Sequence, residues 1–374
     1  MKFIVEKSVI NLPLQYAAGF TMIKNLSTIL QNVYIEANAE LGEVTIKATN
    51  YQIGFSSTIK AEVISGGVIT VDAGIHKNIT VLPDGEITFE LKGDTLIVTQ
   101  EGEAGGNIVF RLPILNPDLF PKSPAISSDY SFKINGKLFV DLLKRVVFCV
   151  STDSARIEYN GVHLSVFADH IEVSASDLQR IANAKATIDE PIKDEFSINI
   201  LKITVLDIIK IFENEPYIFV ETDKKHVSFS SERTVVTSKL IEKNVTRITK
   251  LFYDPFSIKA IINRKKLYEA LKRMSSSAGE QTFSVKFDFS GSNLDLASLG
   301  NEKEGRDDTI RDVVINEEKF STVLNSKLLL EILSNIGTEK VVFNFNLKDK
   351  PILIYPEDEN ARYIMVPIIT ERYM

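Results

Sequence analysis

Apolar and polar residues alternate in short runs along this chain, and the runs recur. VYIEANAELGEVTIKAT from Val33, VHLSVFADHIEVSAS from Val162 and VKFDFSGSNLDLAS from Val285 alternate with a period of two, which predicts half-buried strands. Their starts lie 129 and 123 residues apart, and each block ends on Ala plus a small hydroxyl residue: Ala48–Thr49, Ala175–Ser176 and Ala297–Ser298. A second block recurs as ITFELKGDTLIVTQ, YIFVETDKKHVSFSS and VVFNFNLKDKPILIYP, with Phe89, Phe219 and Phe343 at matching places. Two independent landmarks on nearly one period mark three internal repeats.

Each repeat also carries two segments whose apolar residues recur at three and four, the helical spacing. The first set covers 11–19, 135–147 and 263–274, with Leu14, Leu142 and Leu271 in one position and an Asn at each start as N-cap. Pro13 then falls in a first helical turn, where it is tolerated. The second set covers 72–81, 199–214 and 325–335. Segments 86–91 and 94–100, split by Lys92–Gly93, read as a hairpin, and Gly102, Gly105 and Gly106 as the loop of another. The predicted class is α+β: three repeated domains, each with two helices packed on antiparallel sheet. Linkers near 117–129, with Pro117, Pro121, Pro124 and a serine pair, and near 250–255 bound them, giving domains 1–125, 126–252 and 253–374.

Composition fits this organisation. At 374 residues, two or three domains are expected, and 44% hydrophobic with 25% charged is ordinary for globular chains. One cysteine, Cys149, forms no internal disulfide and no cysteine-based zinc site, so a reducing, cytoplasmic setting is expected. No apolar run approaches the roughly 18 residues of a membrane span, and the opening MKFIVEKSVI lacks a signal-peptide core.

Charge sorts by element. Segment 135–147 carries +2, from Lys137, Lys144 and Arg145 against Asp141. Segment 263–274 carries +4, from Arg264, Lys265, Lys266, Lys272 and Arg273 against Glu269. The other four helices are neutral, so within a net charge of −7 the rest of the chain is strongly acidic. A shared positive helix surface suits sequence-independent contact with a phosphate backbone. Solubility alone also places Lys on exposed helix faces, and Glu269 with Lys272 and Arg273 fits ordinary helix-surface pairing.

Catalytic chemistry finds no purchase. His76, His163, His170 and His226 make no metal-ligand spacing and read as structural or solvated. No phosphate loop and no nucleophile elbow occur. Glu357, Asp358 and Glu359 sit in polar loop sequence, and Cys149 follows an apolar run that suits a buried structural thiol. No cofactor or metal is expected.

With these residues in view, the chain resembles the bacterial sliding clamps, the β subunit of the replicative DNA polymerase III. The opening MKFIVEKSVINLPLQ is similar to that family's start. VSTDSARIEYNGV (150–162) and VSASDLQRIA (173–182) resemble its "VSTDETRPILNGV" and "VATDGHRLA" patterns. Thr237–Ile241 matches the end of its second domain, and Tyr363–Ile368 its closing "Y.VMPMRL". The resemblance spans essentially the whole chain.

It implies a homodimeric ring of six domains whose helices line a hole around duplex DNA and whose sheets face outward. The ring would tether the catalytic subunit of the polymerase and confer processivity without chemistry. An ATP-dependent clamp loader would place it, and other proteins carrying the clamp-binding motif would share its docking site. That site would be a pocket between the second and third domains, taking a peptide with a Gln and apolar residues. Carried over, it includes Tyr159, Ser176, Leu178, Gln179, Arg180, Ile181, Ile364, Val366, Pro367 and Ile368, with Arg180 as a donor on its rim. Thr246 stands at the family's pocket proline, and Lys250 and Leu251 follow where the family has Arg and an aliphatic residue. Leu178–Gln179 replaces a Gly-His pair and adds bulk at one edge, so an altered peptide preference is expected.

Lys24 aligns with a basic inner-loop residue and joins the two basic helices as expected phosphate contacts. The ring interface is expected to pair the edge strand 107–112 with the region 274–278, with Val109 and Met274 at the contact. Two alternatives remain open from sequence: a clamp-like paralogue with altered docking used in repair or specialised replication, and a DNA-processing enzyme on a repeated scaffold. The latter requires a metal cluster that the sequence does not offer.

Overall fold

A computed structural model describes residues 1–22, 28–102, 105–121, 126, 128–188, 191–243, 252, 255–275, 283–299, 307–346, 349–358 and 360–369. It divides into two compact units. The first comprises Met1–Lys137 and Lys210–Leu240, the second Leu138–Ile209 and Ile241–Met374.

The first unit is built on one thirteen-stranded sheet, with every recorded pairing antiparallel. Starting from one edge, four strands of the second repeat come first: Tyr130–Asn135, Tyr217–Thr222, His226–Ser230 and Thr234–Lys239. Thr234–Lys239 then pairs with Ile53–Lys60 of the first repeat, and the sheet continues through that repeat to Lys2–Glu6 and Glu62–Ser65. The second unit holds a nine-stranded sheet, in which Arg180–Thr187 of the second repeat pairs with Ala361–Met365 of the third, and a four-stranded sheet ending on Asp307–Arg311.

Six helices are present among the described residues: α1 (Lys7–Gly19), α2 (Ile75–Thr80), α3 (Gly136–Lys144), α4 (Lys202–Ile211), α5 (Arg264–Ser275) and α6 (Ser326–Ser334). Five of them follow a strand without an intervening loop. Their apolar stripes face inward: Leu267, Ala270, Leu271 and Met274 of α5 lie at i, i+3, i+4 and i+7 and are all buried. Leu14, Leu142 and Leu271 are buried as their shared position requires. Of the expected Asn caps the one on α5 is seen, and α6, for which none was expected, has one too. Asn263 Oδ1 accepts from Lys266 N–H (3.0 Å) and Asn325 Oδ1 from Leu328 N–H (3.1 Å).

Two expectations need correction. Helix α1 begins at Lys7, directly after the strand Lys2–Glu6, so Asn11 is not its cap and Pro13 lies inside it. The tight strand-to-helix step common to the repeats outweighs the local cap signal. The three phenylalanines are also not equivalent. Phe89 and Phe343 are buried, but Phe219 is 48% exposed. Pairing explains it: Phe3, Phe132 and Ala260 each precede a helix by four residues, and they pair with Phe89, Val220 and Phe343. Val220 is therefore the middle landmark, one position on, and Phe219 faces the other side of the sheet.

The hairpins form as expected. Glu86–Lys92 and Thr95–Glu101 join through a two-residue turn with Gly93 at φ +57°, a conformation that glycine adopts without strain.

Candidate docking and DNA-contact sites

The loop Ser176–Arg180 is held by its own side chains. Ser176 Oγ donates to the Arg180 carbonyl (2.9 Å) and accepts from Leu178 N–H (3.0 Å). Asp177 Oδ1 accepts from the N–H groups of Gln179 (3.1 Å) and Arg180 (2.9 Å). This Asx-type clamp lifts Leu178 into a left-handed conformation, φ +71°, with 41% of its surface exposed. Alongside, Val366 N–H donates to the Gln179 carbonyl (3.0 Å), and Val366 is also exposed.

Beneath them Ile181 and Ile364 face each other across paired strands and form a buried cluster with Phe252 and Leu353. Phe256 and Tyr355 pack against it, half-buried. The structure thus unites Ile181, Leu178, Gln179, Ile364 and Val366 at one joint. Pro367 is buried, while Ile368 anchors the strand end by donating from its N–H to the Val323 carbonyl (2.8 Å). Tyr159 lies half-buried on a separate 3₁₀ turn, Ile157–Tyr159. Thr246, Lys250 and Leu251 lie outside the described residues, as does Lys24. Phe252, Leu353, Phe256 and Tyr355 were missed from sequence because they come from other strands and a linker. Only the repeat alignment of strand Ile352–Pro356 offered a signal for them.

Arg180 is not a rim donor. It is 4% exposed, and its guanidinium donates to Asp177 Oδ2 (2.9 Å), the Leu328 carbonyl (3.0 Å), the Phe148 carbonyl (3.2 Å) and Glu331 Oε2. It also stacks 5.1 Å from the centre of the Phe148 ring. Such a saturated cation has little left for a ligand. It braces the loop against α6. Cys149 beside it is buried, and burial pushes its thiol pKa up, as suits a structural residue.

The basic helices divide their cations between structure and solvent. Arg264 turns inward and donates to the carbonyls of Thr338 (3.0 Å) and Leu333 (3.3 Å). Arg145 donates to Asn360 Oδ1. Arg273 pairs with Asp308 (2.9 Å), and Lys266 lies 3.5 Å from Asp312. Lys144 is half-buried, whereas Lys137, Lys265 and Lys272 are exposed with no ion-pair partner among the described residues. On α5 the exposed cations lie opposite the buried stripe, so that face is positive.

Val109 is half-buried on Asn107–Leu115. That strand pairs with Thr95–Glu101 along 107–113. Its other edge pairs with Gly67–Asp72 only at Ile114 and Leu115, leaving 107–113 open among the described residues. Met274 is 2% exposed in the α5 core, so it is not an interface residue, because its side chain is already spent on its own repeat. Residues 276–278 lie outside the description. Among the described residues no group of three or more His, Cys, Asp or Glu is placed to hold a metal ion.

Comparison with known proteins decides the family. The N-terminal, central and C-terminal domain models of the DNA polymerase III beta subunit match residues 1–124, 133–245 and 249–369. The chain belongs to the DNA polymerase III beta subunit family. The beta sliding clamp of Rickettsia felis is 24% identical, over 98% of this chain and 99% of its own length. That of Helicobacter pylori (strain J99) is 26% identical, over 99% and 98%. The beta subunit structure from Thermotoga maritima superposes with a TM-score of 0.90 at 25% identity, covering 99% of each chain. A Pseudomonas aeruginosa clamp solved with griselimycin gives 0.93 at 20% identity, covering 99% and 100%. The chain is accordingly a sliding clamp of three α+β clamp domains, a non-catalytic processivity factor of DNA replication.

Proposed function

We propose that two copies close head to tail into a ring of six domains, bounded in each chain at 1–125, 126–252 and 253–374, that encircles duplex DNA and slides on it. The observation that carries this reading is the open edge at 107–113. An unpaired strand edge invites another strand, and a head-to-tail contact closes into a ring when its rotation allows. The edge strand Asp307–Arg311 of the four-stranded sheet offers a second free edge as its mate. Lys137, Lys265 and Lys272 would meet phosphates without reading sequence.

Partners would dock a short peptide over Ile181, Ile364, Leu178 and Val366, an apolar slot with polar backbone around it. The catalytic polymerase subunit, the ATP-dependent loader and other motif-bearing proteins would compete for it. Leu178 supports a specialised docking preference, since a bulky side chain occupies a φ where glycine is unstrained. No helix among the described residues is long and apolar enough to cross a membrane, and the proposed setting is the cytoplasm.

Sedimentation velocity at sub-micromolar protein tests the ring. The chain is 41.9 kDa. A species of twice that mass, with the friction of a flat open particle, is expected, and Val109→Glu should shift it to monomer. A strict monomer at every accessible concentration overturns spontaneous closure.

A further inference from the structure

The joint that carries the docking slot is built a second time. Between the first and second repeats, Ile53 and Gly54 pair with Ser238 and Thr237, as Arg180 and Ile181 pair with Met365 and Ile364. Lys239 N–H donates to the Gln52 carbonyl (2.8 Å), matching the bond from Val366 to Gln179. The loop matches too. Thr49 Oγ1 donates to the Ile53 carbonyl (2.9 Å) and accepts from Tyr51 N–H (3.1 Å), while Asn50 Oδ1 accepts from Gln52 and Ile53 N–H. Tyr51, at φ +69° and 59% exposed, stands where Leu178 stands.

The contents of the two joints differ. Ile181, Ile364 and Leu353 fill the second–third joint with Phe252. Their counterparts by pairing are Gly54, Thr237 and Ser228. A cavity of about 900 Å³ opens over these three small residues, walled by Phe120 and Pro121 of the linker. That is the size of a ligand pocket. A Cβ at Gly54 would meet Thr237 Oγ1 at 2.6 Å, so the glycine keeps the floor open. Lys47 and Glu221 also line it, four strands apart, about 19 Å at ordinary strand spacing. An extended peptide of about six residues spans that distance. Both charges already have internal partners, Glu36 (3.5 Å) and the Tyr34 ring (5.1 Å) for Lys47 and Ser128 (2.6 Å) for Glu221, so the pair orients a peptide more than it holds one.

We infer that the first–second joint is a second docking groove, taking a short extended peptide of a partner protein with an aromatic anchor in the cavity, an acidic residue toward Lys47 and a basic residue toward Glu221. The inference rests on the peptide reading of the second–third slot for its analogy, and separate variants test the two.

The probe is a fluorescein-labelled hexapeptide pool with an acidic first, aromatic fourth and basic last residue, read by anisotropy on the full chain. A pool with the end charges exchanged is the control. Binding should fall at least tenfold in Ser228→Leu/Thr237→Ile, which rebuilds the filling seen at the other joint. The charge exchange Lys47→Glu/Glu221→Lys should turn preference toward the exchanged pool, and it decides alone if the filled variant does not fold. Absence of binding, or binding indifferent to both changes, overturns the inference. Loss of pool binding in Leu178→Asp assigns the pool to the other slot and also overturns it. A change in sedimentation caused by the filling pair assigns the groove to a second copy of the chain and counts against a peptide. Failure of a Gln-plus-apolar motif peptide to bind wild type, with the pool still binding, refutes the slot reading alone.

Discussion

Arg180 shows how a residue carried over by motif can change its meaning in three dimensions. Its neighbours in the sequence pointed to a docking loop, and the structure has a self-braced loop at Ser176–Arg180. The side chain itself reaches Phe148, Leu328 and Glu331, far away in sequence, and no linear pattern announces that. Removing one member of a buried, hydrogen-bonded ion cluster leaves the others unpaired and costs about 3–5 kcal/mol. Glu331 is partly exposed, so the lower end is expected. Arg180→Ala should lower the unfolding free energy by about 3 kcal/mol in denaturant titration, and an unchanged midpoint would contradict the bracing role. His163 makes a pH prediction. Burial lowers its pKa below the ordinary 6.5, so as pH falls the unfolded chain takes up the proton first. Stability from this group is full above about pH 6.5 and declines below it. His163→Gln should flatten the loss of stability between about pH 6.5 and 5. A wild-type profile equally steep in the variant would place the acid sensitivity elsewhere.

At the scale of elements, periodicity served well where one face is buried. The α5 stripe and the shared leucines could be read directly, because burial enforces their spacing. Boundaries were harder. The start of α1 is set by the strand that runs into it, which outweighs Asn11 and Pro13. Phe219 misled because strands present large side chains on both faces, and only register tells them apart. Basic count also overstated the cations left free for a ligand, since Arg264 and Arg145 serve carbonyls and an amide within the fold. Lys265→Ala and Lys272→Ala should each reduce the slope of log affinity against log salt by about one unit without altering sequence preference. Arg264→Ala should instead loosen the end of α6 and register mainly as lost stability. Equal slope changes for all three would show that Arg264 reaches DNA after all.

At the scale of the molecule, the threefold repeat was legible because each unit repeats its landmarks in order. What joins the repeats was not, since the joints pair strands more than a hundred residues apart, Ile53–Lys60 with Thr234–Lys239 and Arg180–Thr187 with Ala361–Met365. The same joint appears filled once and open once, a contrast that only pairing reveals. The central claim remains encirclement, and a topological link differs from surface affinity in needing intact ends. The decisive measurement is retention on linear duplex DNA after threading, with the ends then left free or blocked by a bulky protein, followed by a high-salt wash. Encirclement predicts salt-resistant retention on blocked DNA that is lost when an internal cut frees an end. Retention that is equal on free and blocked DNA and falls away with salt would contradict it.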